Sequence, residues 1–64
     1  MSRDYRFAYQ QMRHYERKSR FLIRCAARNE QSAHSHHRAC AVLNEREADH
    51  CDDMAADYRR GLGL

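Results

Sequence analysis

Residues 3–28 read RDYRFAYQQMRHYERKSRFLIRCAAR, and this stretch predicts one long amphipathic α-helix. With Tyr5 at heptad position a, positions a, d and e collect the apolar arc that is typical of a helix facing a core. The arc comprises Tyr5, Ala8, Tyr9, Met12, Tyr15, Leu22, Ile23 and Ala26. Positions b and f collect Arg3, Arg6, Arg13, Arg17, Arg20 and Arg24. We therefore expect the rest of the chain to cover the apolar arc and to leave the arginine stripe outside.

The composition favours a single all-α domain over residues 1–64. The chain has no proline, and its two glycines, Gly61 and Gly63, lie close to the C-terminus. A chain this short buries only about 60% of its unfolded surface, so a lone hairpin needs a disulfide, a metal or a partner subunit. The predicted fold is a two-helix antiparallel hairpin that dimerises into a four-helix bundle.

The predicted elements are helix 1 at about residues 4–29, a turn at about 30–34, helix 2 at about 35–60 and a short tail at 61–64. The turn region lacks an apolar face and offers Ser32 or Ser35 as an N-cap. Gly61 is expected to end the second helix. The alternative is one continuous helix through residue 60, although the apolar phase of the two halves differs by one residue.

Helix 2 carries a seam of small residues, Ala41, Ala48 and Ala55, at seven-residue spacing. Bulky residues of helix 1 can lie over this seam and let the helices approach closely. A turn centred near residue 32 predicts Tyr5 near Tyr58, Leu22 near Ala41 and Cys25 near Cys40. The residues predicted to form the dimer or hairpin core are Tyr5, Tyr9, Met12, Tyr15, Leu22, Ala41, Ala48, Cys51, Ala55 and Tyr58.

The net charge of +3 is distributed unevenly along the chain. Residues 1–31 hold eight Lys and Arg against three Asp and Glu, a net +5, whereas residues 32–64 hold four against six, a net −2. The basic charge is mostly arginine, whose planar fork suits carboxylates and phosphates, and only Glu16 is spaced to neutralise its neighbour Arg20. An acidic protein partner is therefore expected for helix 1, with a solvated outer face as the alternative.

A row of rings borders the arginine stripe at heptad position c. Phe7, His14 and Phe21 are seven residues apart and fall on one line along the helix. They are expected either to meet a second hairpin or to anchor a partner, since aromatic and Arg side chains are enriched at interface hot spots. The predicted partner-binding residues are Arg6, Phe7, Arg13, His14, Arg17, Arg20, Phe21 and Arg24.

Metal-binding and catalytic patterns are weak. Imidazole and thiol groups cluster at His34, His36, His37 and Cys40. Their spacing matches no zinc pattern, so we expect no metal, no cofactor and three free thiols. His50 and Cys51 are adjacent, and adjacent helical side chains do not face each other, so they form no nucleophile–base pair. We expect no catalytic residue, no enzymatic activity and no small-molecule substrate.

Neither a signal peptide nor a membrane span is indicated. The longest apolar runs, residues 21–23 and 39–43, are much shorter than the roughly 20 residues that a membrane-spanning helix needs. We therefore expect a cytoplasmic protein without membrane contact.

In length, hairpin topology and basic first helix, the chain resembles the plasmid-encoded Rop proteins, which are RNA-binding hairpin dimers. The resemblance is one of plan, and it implies RNA or DNA binding by the arginine stripe as an alternative function. The main hypothesis is a small regulatory or inhibitory protein, of the kind that mobile genetic elements encode, that binds another protein. A second alternative is a structural subunit that assembles only with copies of itself.

Overall fold

The computed structural model describes residues 3–64, and the chain forms two α-helices over this range. Helix α1 spans Arg3–Glu30 and helix α2 spans Ser35–Leu62. They pack along each other as a rod whose extents are 50 × 14 × 13 Å. The predicted all-α helical hairpin is confirmed, and the alternative of one continuous helix is wrong.

The turn between the helices is held by local hydrogen bonds. The Ser32 N–H donates to the Asn29 carbonyl at 3.2 Å, and the His34 N–H donates to Ser32 Oγ at 3.2 Å. His34 is the N-cap of α2 and makes no side-chain capping bond, so the prediction of Ser32 or Ser35 as the cap is wrong. Ser32 Oγ instead lies 2.8 Å from Nδ1 of His37 and stabilises the turn.

The C-terminus of α2 is closed by Gly63 rather than by Gly61. Gly63 has a φ of 77°, in the left-handed region that glycine adopts without a steric penalty. Its N–H donates to the Arg60 carbonyl at 3.1 Å, and the next N–H, that of Leu64, donates to the Arg59 carbonyl at 3.0 Å. The predicted stop at Gly61 is therefore wrong, because the residue that takes the left-handed conformation comes two positions later.

A narrow seam forms the hairpin core. Its buried members are Met12, Ser19, Leu22 and Ala26 of α1 and Ala41, Ala48, Cys51 and Ala55 of α2. Three of the four predicted core tyrosines, Tyr5, Tyr15 and Tyr58, are half-buried. Tyr9 and Ile23 are 44% and 52% exposed, because position e lies beside the seam and a single neighbouring helix does not reach it. Tyr9 therefore lies outside the core of the single hairpin.

The register between the helices differs from the one centred on the turn. Leu22 packs with Ala48, whereas the predicted partner was Ala41, about two helical turns away. Tyr58, predicted near the start of α1, stacks on Tyr15 with 6.1 Å between ring centroids. The predicted register is wrong, and α2 is displaced along α1 towards the turn end.

Candidate interaction surface

The arginine ridge of α1 consists of Arg6, Arg13, Arg17, Arg20 and Arg24, and all five side chains are exposed. Heptad positions b and f lie on the side of the helix opposite the a and d positions that form the seam. Because α2 covers only the seam, the ridge points away from the rest of the molecule. The predicted ring residues Phe7, His14 and Phe21 are exposed as well.

The ridge has few acidic partners within the described residues. Arg13 Nη1 lies 2.9 Å from Glu16 Oε2, and Arg17 Nε donates to the Arg13 carbonyl at 3.3 Å. Glu16 also accepts a hydrogen bond from Arg59 at 2.9 Å. Glu16 therefore pairs with Arg13 and Arg59, whereas its spacing predicted a pair with Arg20. Four of the five ridge arginines, Arg6, Arg17, Arg20 and Arg24, have no ion pair in residues 3–64.

Two ion pairs between the helices identify the two flanks of the hairpin. Lys18 Nζ lies 3.3 Å from Glu47 Oε1, and Arg59 Nη2 lies 2.9 Å from Glu16 Oε1. Lys18 and Glu16 are two positions apart on α1, and side chains with this spacing point to different sides of a helix. The two pairs therefore bridge the helices on opposite sides of the seam.

The side of the hairpin that carries Lys18 and Glu47 is the aromatic flank. Side chains three, four or seven residues apart share a side of a helix, which places a set of larger residues beside this pair. They are Phe7, His14, Phe21, Leu43 and Met54. Phe7, Phe21 and Leu43 are 58%, 53% and 61% exposed. This flank therefore exposes large apolar side chains from both helices.

The opposite side is the acidic flank, formed by Tyr9, Glu16, Ile23, Glu30, Glu45, Asp52 and Arg59. The Glu30 carboxyl forms a hydrogen bond with Glu45 and repels its charge, which together raise the pKa of Glu45 above its ordinary value of 4.5. Desolvation and the nearby Asp49 raise it further. A shallow hollow on this flank is lined by Glu16, Ser19, Arg20, Ile23 and Asp52. This side of the molecule combines three exposed apolar side chains, Tyr9, Ile23 and Val42, with several carboxylates.

Three histidine rings gather at the start of α2. The His36 and His37 ring centroids are 4.1 Å apart, and His34 lies 5.5 Å and 5.2 Å from them. His37 is held by Ser32, as described for the turn. Among residues 3–64, no group of His, Cys, Asp and Glu side chains has the geometry to hold a metal ion. The cluster is therefore an aromatic contact at the turn.

The three cysteines differ in their environments, and all are free thiols. Cys40 is exposed, Cys25 is half-buried and Cys51 is buried. Burial chiefly raises the pKa of the Cys51 thiol, with Lys18 opposing this shift. Cys51 is therefore covered and protonated, which is unsuited to nucleophilic attack, while the neighbouring His50 is exposed. The revised register also removes the reason for placing Cys25 opposite Cys40.

Neither helix in the described part of the chain has the length and apolarity needed to cross a membrane. Comparison with protein-family models, with curated proteins and with solved structures gives no match.

Proposed function

We propose that this chain is a small, non-catalytic regulatory protein that inhibits or modulates another protein by binding an acidic surface of it. The observation that carries this proposal is the set of exposed ridge arginines that have no ion pair within residues 3–64, namely Arg6, Arg17, Arg20 and Arg24. Guanidinium groups bind carboxylates through paired hydrogen bonds. The ridge therefore retains most of its capacity to bind an acidic partner.

The geometry of α1 supports binding to an extended surface. Arg6 and Arg24 lie on one continuous helix, so they are separated by about 27 Å along its axis. A helix that presents charge over this length suits a groove or an elongated acidic patch, where complementary charge contributes specificity and fast association. Phe7, His14 and Phe21 border the ridge and have two possible uses: as anchors for this partner or as a contact with a second hairpin.

We also propose that the hairpin dimerises into a four-helix bundle in the cytosol. The only large aliphatic side chains in the buried seam are Met12 and Leu22, and the other buried residues are Ala, Cys and Ser. A core of this composition stabilises a single hairpin weakly, so a second copy is the expected source of further burial. The exposed free thiol of Cys40 suits a reducing compartment.

The test is quantitative affinity capture from the native host, with nuclease added, using two matched double variants. Arg20→Ala/Arg24→Ala removes two ridge charges, and Arg38→Ala/Arg46→Ala removes two exposed charges of α2 that likewise have no ion pair in residues 3–64. The ridge variant should lose at least about tenfold of a specifically captured protein, since interface arginines are frequent hot spots. Equal capture by both variants, at wild-type level or equally reduced, would contradict the proposal.

Nucleic acid is the competing occupant of the ridge, and salt dependence distinguishes it. Neutralised phosphates give log K a slope of about −0.9 per contact against log salt, so the ridge variant should flatten a nucleic-acid slope by about 1.8. We expect binding to mixed RNA and duplex DNA no tighter than about 10⁻⁴–10⁻⁶ M at physiological salt, the ordinary non-specific range. Nanomolar binding with a steep slope that the ridge variant flattens would favour nucleic acid over a protein partner.

A further inference from the structure

We infer that the aromatic flank is the surface through which two copies of this chain associate, with both turns at the same end of the resulting bundle. The inference rests on the proposed dimer and adds to it the contacting face and the relative orientation of the copies. The arginine ridge is not part of the contact. Its residues lie on the outer side of α1 and stay exposed in this arrangement.

The first support is the amount of surface left uncovered. A compact protein of this mass, 7.7 kDa, exposes about 4,300 Å², whereas this chain exposes 4974 Å². The excess of roughly 650 Å² approaches the ~800 Å² that each partner buries in a standard interface. Phe7, Phe21 and Leu43 are each more than half exposed, and they all lie on the aromatic flank. Covering this flank therefore removes apolar surface that the hairpin itself cannot cover.

The second support is the contrast with the acidic flank. There, Glu30 raises the pKa of Glu45 through a hydrogen bond and through repulsion between the two carboxyl groups, and Asp52 lies on the same side. Packing two copies through this flank would bring these carboxylates close to their counterparts and remove water from them, and burying unpaired charge is costly. On the aromatic flank, Lys18 forms an ion pair with Glu47, and Asp57, three positions from Met54, forms one with Arg60. A second copy is therefore accommodated on the aromatic flank at a smaller electrostatic cost.

The third support concerns orientation, which the charges of the two helices decide. A twofold axis along the hairpin places α1 against α2 of the partner copy and puts both turns at one end. A twofold axis across the hairpin places α1 against α1 and α2 against α2, with the turns at opposite ends. By the same spacing, the charged residues of this flank are Asp4, Lys18 and Arg28 on α1, a net +1, and Glu47 and Asp57 on α2, a net −2, so only the first arrangement brings unlike net charges together.

The experiment measures distances between spin labels in the dimer. Cys25→Ser and Cys40→Ser remove the accessible thiols, and Cys51 is retained because it is 1% exposed and escapes labelling. One sample carries the label at the turn through Gln31→Cys, and a second carries it at the open end through Arg60→Cys. Circular dichroism and sedimentation of each unlabelled variant check that helicity and mass match the wild type.

Both samples should give label distances below about 30 Å, because neighbouring helices of a bundle lie about 8–10 Å apart. Opposed turns would instead give distances near the 50 Å length of the hairpin, which would overturn the orientation. If the wild-type protein sediments at 7.7 kDa and the labelled variants show no coupling between spin labels of different chains, the proposed dimer is wrong. Arg20→Ala/Arg24→Ala should leave these distances unchanged, so loss of ridge binding and loss of the dimer are distinguishable.

Discussion

The two flanks of the hairpin are built on the same seam and differ in what they leave exposed. On the acidic flank, Glu16 is only 20% exposed at its side chain and accepts hydrogen bonds from Arg13 and Arg59. On the aromatic flank, Lys18 and Glu47 form a looser pair, with side chains 43% and 50% exposed. On the acidic flank Glu16 is therefore paired within the chain, whereas Glu30 and Glu45 repel each other. The aromatic flank is bridged by one solvated pair and exposes large apolar side chains from both helices.

This difference shows how a short helical chain can separate its binding surfaces. Both flanks border the arginine ridge and expose apolar side chains of α1 and α2, but on the acidic flank these side chains lie among several carboxylates. Apolar surface of this kind suits a permanent contact, whereas exposed arginines suit a partner that is recognised by charge. We therefore assign self-association to the aromatic flank and partner binding to the ridge.

The largest expected effect comes from overpacking the seam that separates the flanks. Ala48 is 2% exposed and packs against Leu22 and Cys51. Ala48→Leu should force the helices apart and reduce the free energy of unfolding by about 1–3 kcal/mol. Thermal unfolding followed by circular dichroism measures it.

The matched control is Ala39→Leu, which adds the same atoms at an exposed position of α2 and should stay within about 0.5 kcal/mol of the wild type. Equal melting temperatures for the two variants would mean that the alanine seam does not form the close contact. The two flanks would then not be separated by a closely packed seam, as their comparison assumes.

The smallest effect compares one carboxylate from each flank. Because Glu30 raises the pKa of Glu45, the folded state holds this proton more tightly than the unfolded state does. The stability contribution of Glu45 is therefore fully present below its ordinary pKa of 4.5 and is lost as the pH rises through the raised pKa. At pH 7, Glu45→Gln should raise the melting temperature, and this gain should disappear near pH 4.

Glu47→Gln provides the contrast on the aromatic flank. Glu47→Gln removes the attraction to Lys18 rather than a repulsion, so it should not raise the melting temperature at pH 7. Melting curves of both variants at pH 4 and pH 7 make the comparison. If Glu47→Gln stabilised the protein as much as Glu45→Gln, the electrostatic distinction between the flanks would be wrong.

The sequence predicted the hairpin and the outward arginine stripe because both follow from helical periodicity. The register between the two helices could not be predicted from periodicity in the same way. Ala41, Ala48 and Ala55 repeat every seven residues, so sliding α2 by two turns replaces one alanine with another and leaves the pattern unchanged. Only the contacts of larger residues distinguish these registers, such as Tyr15 stacked on Tyr58.

The flank distinction was also beyond the sequence pattern. The sequence placed Phe7 and Phe21 in one row on α1. It did not show that Leu43 and Met54 of α2 lie on the same side of the hairpin, which follows from the Lys18–Glu47 ion pair. The buried Ser19 was missed because a polar residue at position a interrupts the apolar pattern. Spacing along one helix shows which residues share a face of that helix. Which face of the second helix lies beside it is known only from the packing of the two helices.

We propose that the aromatic flank, and not the acidic flank, holds two copies of the chain together. Phe21 and Ile23 allow a matched test, since they are 53% and 52% exposed on opposite flanks of α1. Sedimentation equilibrium of Phe21→Glu and Ile23→Glu compares the dimer dissociation constants, with helicity measured in parallel. Phe21→Ala is the milder variant if Phe21→Glu loses helicity.

We predict that wild type and Ile23→Glu sediment as dimers of the 7.7 kDa chain with similar dissociation constants. Phe21→Glu should raise the dissociation constant at least about 30-fold, which corresponds to the ~2 kcal/mol of an interface hot spot. Dimers weakened by Ile23→Glu and untouched by Phe21→Glu, or a monomeric wild-type protein, would contradict the account.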